Sequence, residues 1–134
     1  MEEIKILIPE ENYQILEFNQ DNLPGVAVVN SALKDENLKK VFSWNCSILI
    51  DFDETAENGM PTNEELNIIS QFDDFLDENI KGDLERPNAI FFARVTWNST
   101  LQLIWKVFDP EIVNNFLSQI IEDKNYPRYF DYRI

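Results

Sequence analysis

The sequence predicts an α+β domain with a ferredoxin-like split βαβ arrangement, in which an antiparallel sheet carries two helices on one face and an extra N-terminal β-hairpin. The first observation is the order of apolar patterns from residue 44 onward, which run as strand, helix, strand, strand, helix and strand. The second is a hairpin pattern over residues 12–30. The third is the length of 134 residues, a usual size for one domain. We therefore expect one domain over 1–134, with the hairpin and its connection in 1–43 and the βαββαβ core in 44–134.

The N-terminal region contains the predicted hairpin. Glu3–Ile8 is an apolar-rich segment, typical of a strand or a tied-down terminus. Two short strands over residues 12–30 flank Asp21–Gly25, a cluster of turn-forming residues. The inward-facing side chains of the first strand are expected to be Tyr13, Ile15 and Phe18. Residues 31–40 are polar and mixed, as in a loop or a single helical turn.

The middle of the chain combines a central strand with the clearest helix. Trp44–Phe52 has a nearly continuous apolar centre, as in a strand covered on at least part of both faces. Thr62–Glu65 fits a capping box, in which the Thr62 hydroxyl accepts the Glu65 amide and the Glu65 side chain reaches back to the Thr62 amide. Gly82 is expected to end this helix. Its apolar stripe, at spacings of three and four, consists of Leu66, Ile69, Phe72, Leu76 and Ile80.

The last third adds two strands, a second helix and a final strand. Asn88–Trp97 and Thr100–Phe108 read as long strands joined by the two-residue turn between them. Asp109-Pro110 is typical of a helix start, with Asp109 as the N-cap and Pro110 at the first helical position. Tyr129–Ile134 is expected to form the final strand.

The chain is strongly acidic, with 25 Asp and Glu against 11 Lys and Arg and a formal charge of −14. Between Asp51 and Glu85, twelve acidic residues stand against one basic residue, Lys81, so this segment carries −11. We expect no binding to nucleic acid or to membranes, because phosphate backbones and anionic lipids repel this charge. A basic protein would be attracted. Because an open sheet has pairable edges, we expect either a monomer or an edge-paired homodimer.

The absence of histidine excludes Ser-His-Asp and Cys-His catalysis and imidazole zinc sites within this chain. Cys46 is the single cysteine, so no intrachain disulfide can form, and its apolar neighbours predict a buried thiol. The N-terminus lacks a signal-peptide pattern, and no apolar run approaches the ~20 residues of a membrane span. These features lead us to expect a cytoplasmic protein that needs no cofactor.

Carboxylates at the end of the central strand are the best candidates for metal ligands. Asp51, Asp53 and Glu57 lie within one short segment, and hard cations bind several converging oxygens. The spacing does not match an EF-hand, because Ala56 and Thr62 occupy the positions that need Gly and Glu. A solvated loop after a strand is the favoured interpretation, and no metal is predicted.

The candidate partner-binding residues lie on the long helix and on the sheet. Off the apolar stripe, the helix carries Asp73, Asp74, Asp77 and Glu78, which are expected to face water with ordinary pKa values and no catalytic role. On the strands, Arg94, Trp97 and Trp105 either line a binding surface, where Trp and Arg are frequent hot spots, or, for the two Trp, fill the core.

Particular segments resemble a bacterial domain family known as domain of unknown function 695. They are the turn and strand Leu23–Ala27, the motif Asn58–Glu65 and the long helix after it, followed by the paired strands, second helix and aromatic tail. The resemblance covers residues 12–134 and implies no reaction and no catalytic residues. In layout the chain is also similar to the regulator of ribonuclease E activity, type B, a small acidic family that acts by binding an enzyme.

We expect from these features a non-catalytic regulatory module that presents an acidic helix face to a basic partner protein. An immunity-type inhibitor that neutralises a toxin is one alternative. A metal-binding protein or enzyme that uses carboxylates is another.

Overall fold

A six-stranded antiparallel sheet organises the computed structural model, which describes residues 10–34 and 36–134. The predicted segment Glu3–Ile8 lies outside the described residues. In chain order the elements are β1 (Tyr13–Gln20), β2 (Leu23–Asn30), a 3₁₀ turn (Ser31–Lys34), α1 (Glu36–Val41), β3 (Trp44–Asp51), α2 (Asn63–Lys81), β4 (Ala89–Trp97), β5 (Thr100–Val107), α3 (Pro110–Glu122) and β6 (Phe130–Arg133). The predicted α+β class is confirmed.

The strands lie in the order β1-β2-β4-β5-β3-β6, and every neighbouring pair is antiparallel. Two tight turns fix the hairpins. Asp21 and Asn22 have positive φ between β1 and β2, and Asn98 and Ser99 have positive φ between β4 and β5. Positive φ at both central residues matches the twist of the flanking strands. The predicted N-terminal hairpin is thereby confirmed, and β1 forms one edge of the sheet.

Both long helices pack on the same face of the sheet. Register places Ile48 of β3 beside Leu103 of β5 and Leu103 beside Arg94 of β4, so these side chains share that face. The core beneath the helices joins Leu76 of α2 and Leu117 of α3 to these strands. Each of these Leu and Ile side chains is fully buried, and each contributes roughly 1.5–3 kcal/mol by leaving water.

A small second core covers part of the opposite face. Leu33, Leu38 and Phe42 bury against Ile90 of β4. Residues 31–40, predicted to be a loop or one helical turn, therefore form a 3₁₀ turn and the short helix α1. Their apolar side chains are too few for a clear period, and burial against the sheet decides the structure.

Two predictions about side chains are wrong. Tyr13 and Ile15, expected to be buried as inward-facing residues, are 43% and 70% exposed. They project to the face that carries the helices, but within the described residues no helix covers β1. The Thr62 hydroxyl accepts the Glu65 amide at 3.2 Å as predicted. The Glu65 side chain does not return to the Thr62 amide, which donates instead to the carbonyl of Glu54.

Within the described residues, no helix combines the length and the apolar character needed to cross a bilayer.

The start of α2 gives a direct test of the cap. Replacing Thr62 with Ala removes the acceptor of the Glu65 amide, so we expect the free energy of unfolding to fall by about 1 kcal/mol. Thermal and urea unfolding would measure it. The matched control is Asn63→Ala at the exposed first helical residue, which should change stability by less than about 0.5 kcal/mol. Equal effects of the two substitutions would contradict the cap assignment.

Candidate functional site

A cleft of about 190 Å³ lies between α2 and the N-terminal hairpin. Its floor is formed by Val28 of β2 and by Phe91 and Arg94 of β4. Register places Val28 beside Arg94, and both project to the face that carries the helices. The remaining lining residues are Glu11 and Tyr13 from the hairpin and Asp73, Asp74, Asp77 and Lys81 from α2. The cleft therefore joins the acidic helix to the start of β1.

Asp73 and Arg94 form the central ion pair of the cleft. The Arg94 guanidinium donates to Oδ2 of Asp73, and its carbon lies 5.4 Å from the centre of the Phe91 ring, within cation–π range. Asp73 is only 7% exposed. Burial raises its pKa, and the positive charge of Arg94 opposes this rise without cancelling it. The predicted ordinary pKa of Asp73 is wrong, because this side chain does not face water.

A chain of hydrogen bonds runs outward from the core through Asp77. The indole nitrogen of Trp105 donates to Oδ1 of Asp77 at 2.9 Å. Nζ of Lys81 lies 3.0 Å from Oδ2 of Asp77 and 3.0 Å from Oε1 of Glu11. The Tyr13 hydroxyl donates to the other oxygen of Glu11. These hydrogen bonds connect the segment before β1 to the last turns of α2.

This series of hydrogen bonds shifts the pKa values of Lys81, Glu11 and Tyr13. Burial by itself would lower the pKa of Lys81, but its bonds to Glu11 and Asp77 raise it. Burial opposes ionisation of Glu11, yet its bonds from Tyr13 and Lys81 lower the pKa of that carboxyl. Burial and the Glu11 carboxylate raise the pKa of Tyr13. Near neutral pH the cleft therefore holds ionised Glu11 and Lys81 and a neutral Tyr13.

Four carboxylates line the cleft against two cations, so its formal charge is −2. Asp74 is exposed at the rim, and Glu78 is exposed on α2 outside the cleft lining. In the part of the chain that the structure describes, neither carboxylate has an ion-pair partner. The predicted group Asp73, Asp74, Asp77 and Glu78 therefore divides into two anchored carboxylates and two free ones.

The two Trp residues lie on opposite faces of the sheet. Trp105 is fully buried in the main core, so of its two predicted placements the core is the one observed, and it does not line a surface. Its neighbour Leu103 shares its face, and the helices fill the space above both. Trp97 pairs with Gly25 and Thr100 on the other face, where it is half-buried. Its indole nitrogen donates to the carbonyl of Gln20 at 3.1 Å, on the face of the sheet opposite the acidic cleft.

A second polar centre lies at the N-terminal end of α2. Glu65 is completely buried and receives a fork of hydrogen bonds from Arg128, with Nε to Oε2 at 2.9 Å and Nη2 to Oε1 at 2.6 Å. The amide of Asp53 donates to Glu65 at 2.6 Å. These bonds, those from Arg128 above all, lower the pKa of Glu65. The pair joins the segment before β6 to α2 and to the loop after β3.

The weak metal candidates do not converge. Asp53 lies 3.4 Å from Arg128, and Asp51 and Glu57 are exposed. Over residues 10–34 and 36–134, no group of three or more carboxylates or thiols is placed to hold a metal ion. Cys46 is fully buried as predicted, and burial raises the pKa of its thiol to about 12.

Sequence reasoning missed Glu65 and Arg128 as an ion pair, and Glu11, Tyr13 and Lys81 as members of the cleft. A signal existed for two of the carboxylates. Glu65 and Asp73 stand four residues on either side of Ile69, and Leu76 follows Asp73 by three. These are stripe spacings, so both acids fall on the buried side of α2. No local pattern points to Arg128, whose role depends on where β6 pairs.

The two buried acids of α2 give opposite pH trends. Glu65 has a lowered pKa, so its stabilisation is present above about pH 4.5 and is lost as the pH falls below that value. Asp73 has a raised pKa, so the folded state binds its proton more tightly and stability declines as the pH rises through that pKa. We expect the cost of Glu65→Gln to shrink on acidification and the cost of Asp73→Asn to grow.

Urea unfolding of both variants between pH 3.5 and 7 would measure these trends against the unsubstituted protein. At pH 7 the loss for Glu65→Gln should be on the order of 3 kcal/mol, since Arg128 would keep only Asp53 as a charged partner. Parallel pH profiles for the two variants would contradict the assignment.

Comparison with known proteins places the chain in a family. No curated protein and no solved structure matches it significantly. A family model described as "Family of unknown function (DUF695)" matches residues 11–132, which span the sheet and both long helices. The chain belongs to this family of unknown function, DUF695.

Proposed function

We propose that the protein is a non-catalytic binding module that docks a basic segment of a partner protein at the cleft and on the adjoining side of α2. One observation carries the proposal: the cleft between α2 and the hairpin has four carboxylates against two cations. Asp74 and Glu78 extend the negative surface outward from it. A lysine or arginine side chain entering there would gain charge-assisted hydrogen bonds.

The size of the cleft also favours a protein partner. Sites for small molecules usually measure roughly 300–1,000 Å³, whereas this cleft is about 190 Å³. A cofactor would find little enclosed volume here. The same volume suits one basic side chain, which would lie among the carboxylates while the rest of its segment lies on the protein surface.

The ion pair in the floor of the cleft supports a role beyond stability. A well-packed apolar pair would stabilise a core at least as well as a buried Asp73–Arg94 pair, because both charges lose water. Here Arg94 remains 39% exposed at its side chain. It can therefore hold Asp73 in place, while the neighbouring Asp74, which has no ion-pair partner among the described residues, can receive a partner's charge.

Two more specific forms of the proposal follow from the acidic surface. An immunity-type inhibitor would use it to cover the basic site of a toxin. A cytoplasmic regulator similar to the type B regulator of ribonuclease E activity would use it to bind an enzyme. Both forms share the same electrostatic contact.

A carboxylate-based enzyme or metal-binding protein is the second candidate function. The raised pKa of Asp73 within a cleft favours it, since perturbed carboxyl groups mark many active sites. The Arg94 guanidinium, however, already binds Oδ2 of Asp73, and this ion pair gives the carboxylate a structural role. Binding is the better supported role.

We also propose that the last four strands form a ferredoxin-like arrangement. Support comes from the element order β3-α2-β4-β5-α3-β6, from the neighbour order β6-β3-β5-β4, and from the common face of α2 and α3. The hairpin β1-β2 then extends this unit beyond β4.

Removal of the two free charges tests the binding proposal. We expect Asp74→Asn with Glu78→Gln to weaken retention of basic proteins by the immobilised full chain at least tenfold at 50 mM salt, because both carboxylates are exposed on α2 beside the cleft. Elution of the unsubstituted chain's partners should occur at a defined salt step.

The matched control is Glu111→Gln with Glu122→Gln on α3, which removes the same charge from exposed positions away from the cleft. This control should retain partners as the unsubstituted chain does. Equal losses for the two double variants would assign the effect to net charge and would contradict a site at the cleft.

A further inference from the structure

Within residues 10–34 and 36–134, β1 pairs along one edge only. β1 stands at the end of the strand order, and its eight residues pair in unbroken register with β2. Among the described residues no strand pairs with its other edge. Such an edge offers a row of unpaired amides and carbonyls to any extended chain.

The hairpin geometry identifies the groups on that edge. The two-residue turn at Asp21 and Asn22 makes the adjoining residues a hydrogen-bonded pair, and such pairs recur at every second residue. The bond from the Ser31 amide to the Asn12 carbonyl, 2.8 Å long, fits this alternation. The residues that instead direct amides and carbonyls outward are Tyr13, Ile15, Glu17 and Asn19.

The edge has few of the usual devices against strand addition. Natural edge strands are often blocked by Pro, Lys, a bulge or a short length. β1 is Tyr-Gln-Ile-Leu-Glu-Phe-Asn-Gln, with no Pro, no Lys and no irregular pairing. Its one charge is Glu17. A strand of this kind is expected to be kept open for a partner.

The side chains beside the edge specify the sign of the partner. Ile15 pairs with Val28, and Val28 with Arg94, so the outward-directed residues of β1 project to the face that holds the cleft. On this face an added strand would meet Glu17 near its middle and, two residues before β1, Glu11, whose carboxylate also binds Lys81. Every second side chain of such a strand would point toward these carboxylates.

We propose that β1 receives an extended basic segment of a partner protein as a seventh strand, with alternate Lys or Arg side chains directed toward Glu11, Glu17 and the cleft. Main-chain hydrogen bonds supply affinity, and the charges supply specificity. This inference rests on the proposed binding function and adds its geometry. A second copy of the chain fits less well, because each copy carries a formal charge of −14.

Amide hydrogen exchange and calorimetry on the full chain test the mode of binding. The probe is a ten-residue peptide in which every second residue is Lys and the others are Thr or Val. It is compared with the same peptide N-methylated at every second residue. We expect the first peptide to protect the amides of Ile15 and Glu17 from exchange. The N-methylated peptide should bind at least tenfold more weakly, because it cannot complete the ladder. A Glu-for-Lys version should also bind at least tenfold more weakly.

Two substitutions at one position separate the ladder from the charge. Glu17→Pro removes an outward amide and leaves the pairing with β2 intact, whereas Glu17→Gln removes only the charge. We expect affinity for the Lys peptide to be at least tenfold lower for the Pro variant than for the Gln variant. The N-methylated peptide keeps the test valid if the Pro variant does not fold.

Each other outcome overturns the inference in a recognisable way. Equal affinities for the Pro and Gln variants, or no binding of the Lys peptide at millimolar concentration, would exclude strand addition at β1. Protection of the Ile15 and Glu17 amides without peptide would mean that the edge is already filled. If this protection rises with protein concentration, a second copy fills the edge. If it does not, the chain's own N-terminal segment fills it. The proposed function would survive these results if the charge variants on α2 still lost their partners.

Discussion

The width of the sheet is the constraint on which the rest of the structure depends. Packed helices lie about 10 Å apart and strands about 4.8 Å apart, so two helices cover roughly four strands. This sheet has six strands, with α2 and α3 on one face. The hairpin β1-β2 therefore extends past the helices. The cleft and the exposed Ile15 both follow from this mismatch.

At the boundary between the strands that the helices cover and those that they do not cover, the side chains of α2 that face the sheet change from apolar to polar. Leu76 packs wholly in the core, and Asp73, one turn earlier, meets Arg94 rising from the sheet. Asp77 accepts a hydrogen bond from the indole of Trp105 at the same boundary. Asp77 thereby gives the buried indole its hydrogen-bond acceptor, Asp73 pairs with the partly exposed Arg94, and both acids contribute to the charge of the cleft. The same carboxylates therefore contribute to the structure and to the proposed binding function.

The local chemistry of turns and caps made much of the fold predictable from the sequence. Asp109-Pro110 and Thr62 begin their helices as expected, because their side chains and backbones act within a few residues. The burial of Trp105 and the exposure of Tyr13 depend on which strands the helices cover, and that is a property of the whole sheet. Arg128 was unpredictable for the same reason: its partner, Glu65, is 63 residues away. In the cleft, the sequence identified Asp73, Asp74, Asp77 and Arg94 as candidates, but neither their ion pairs nor the contribution of Glu11 and Lys81.

The anchored cations also change how the acidic segment should be understood. The formal −11 of residues 51–85 suggests a uniform negative face, yet Arg94, Arg128 and Lys81 pair with four of its carboxylates. What remains free on α2 beside the cleft is a smaller set that includes Asp74 and Glu78. A partner would therefore meet a localised charge next to an open strand, and a localised charge can select an orientation. A diffuse field attracts any cation, whereas a few fixed carboxylates beside a sheet edge favour a basic chain that is also extended.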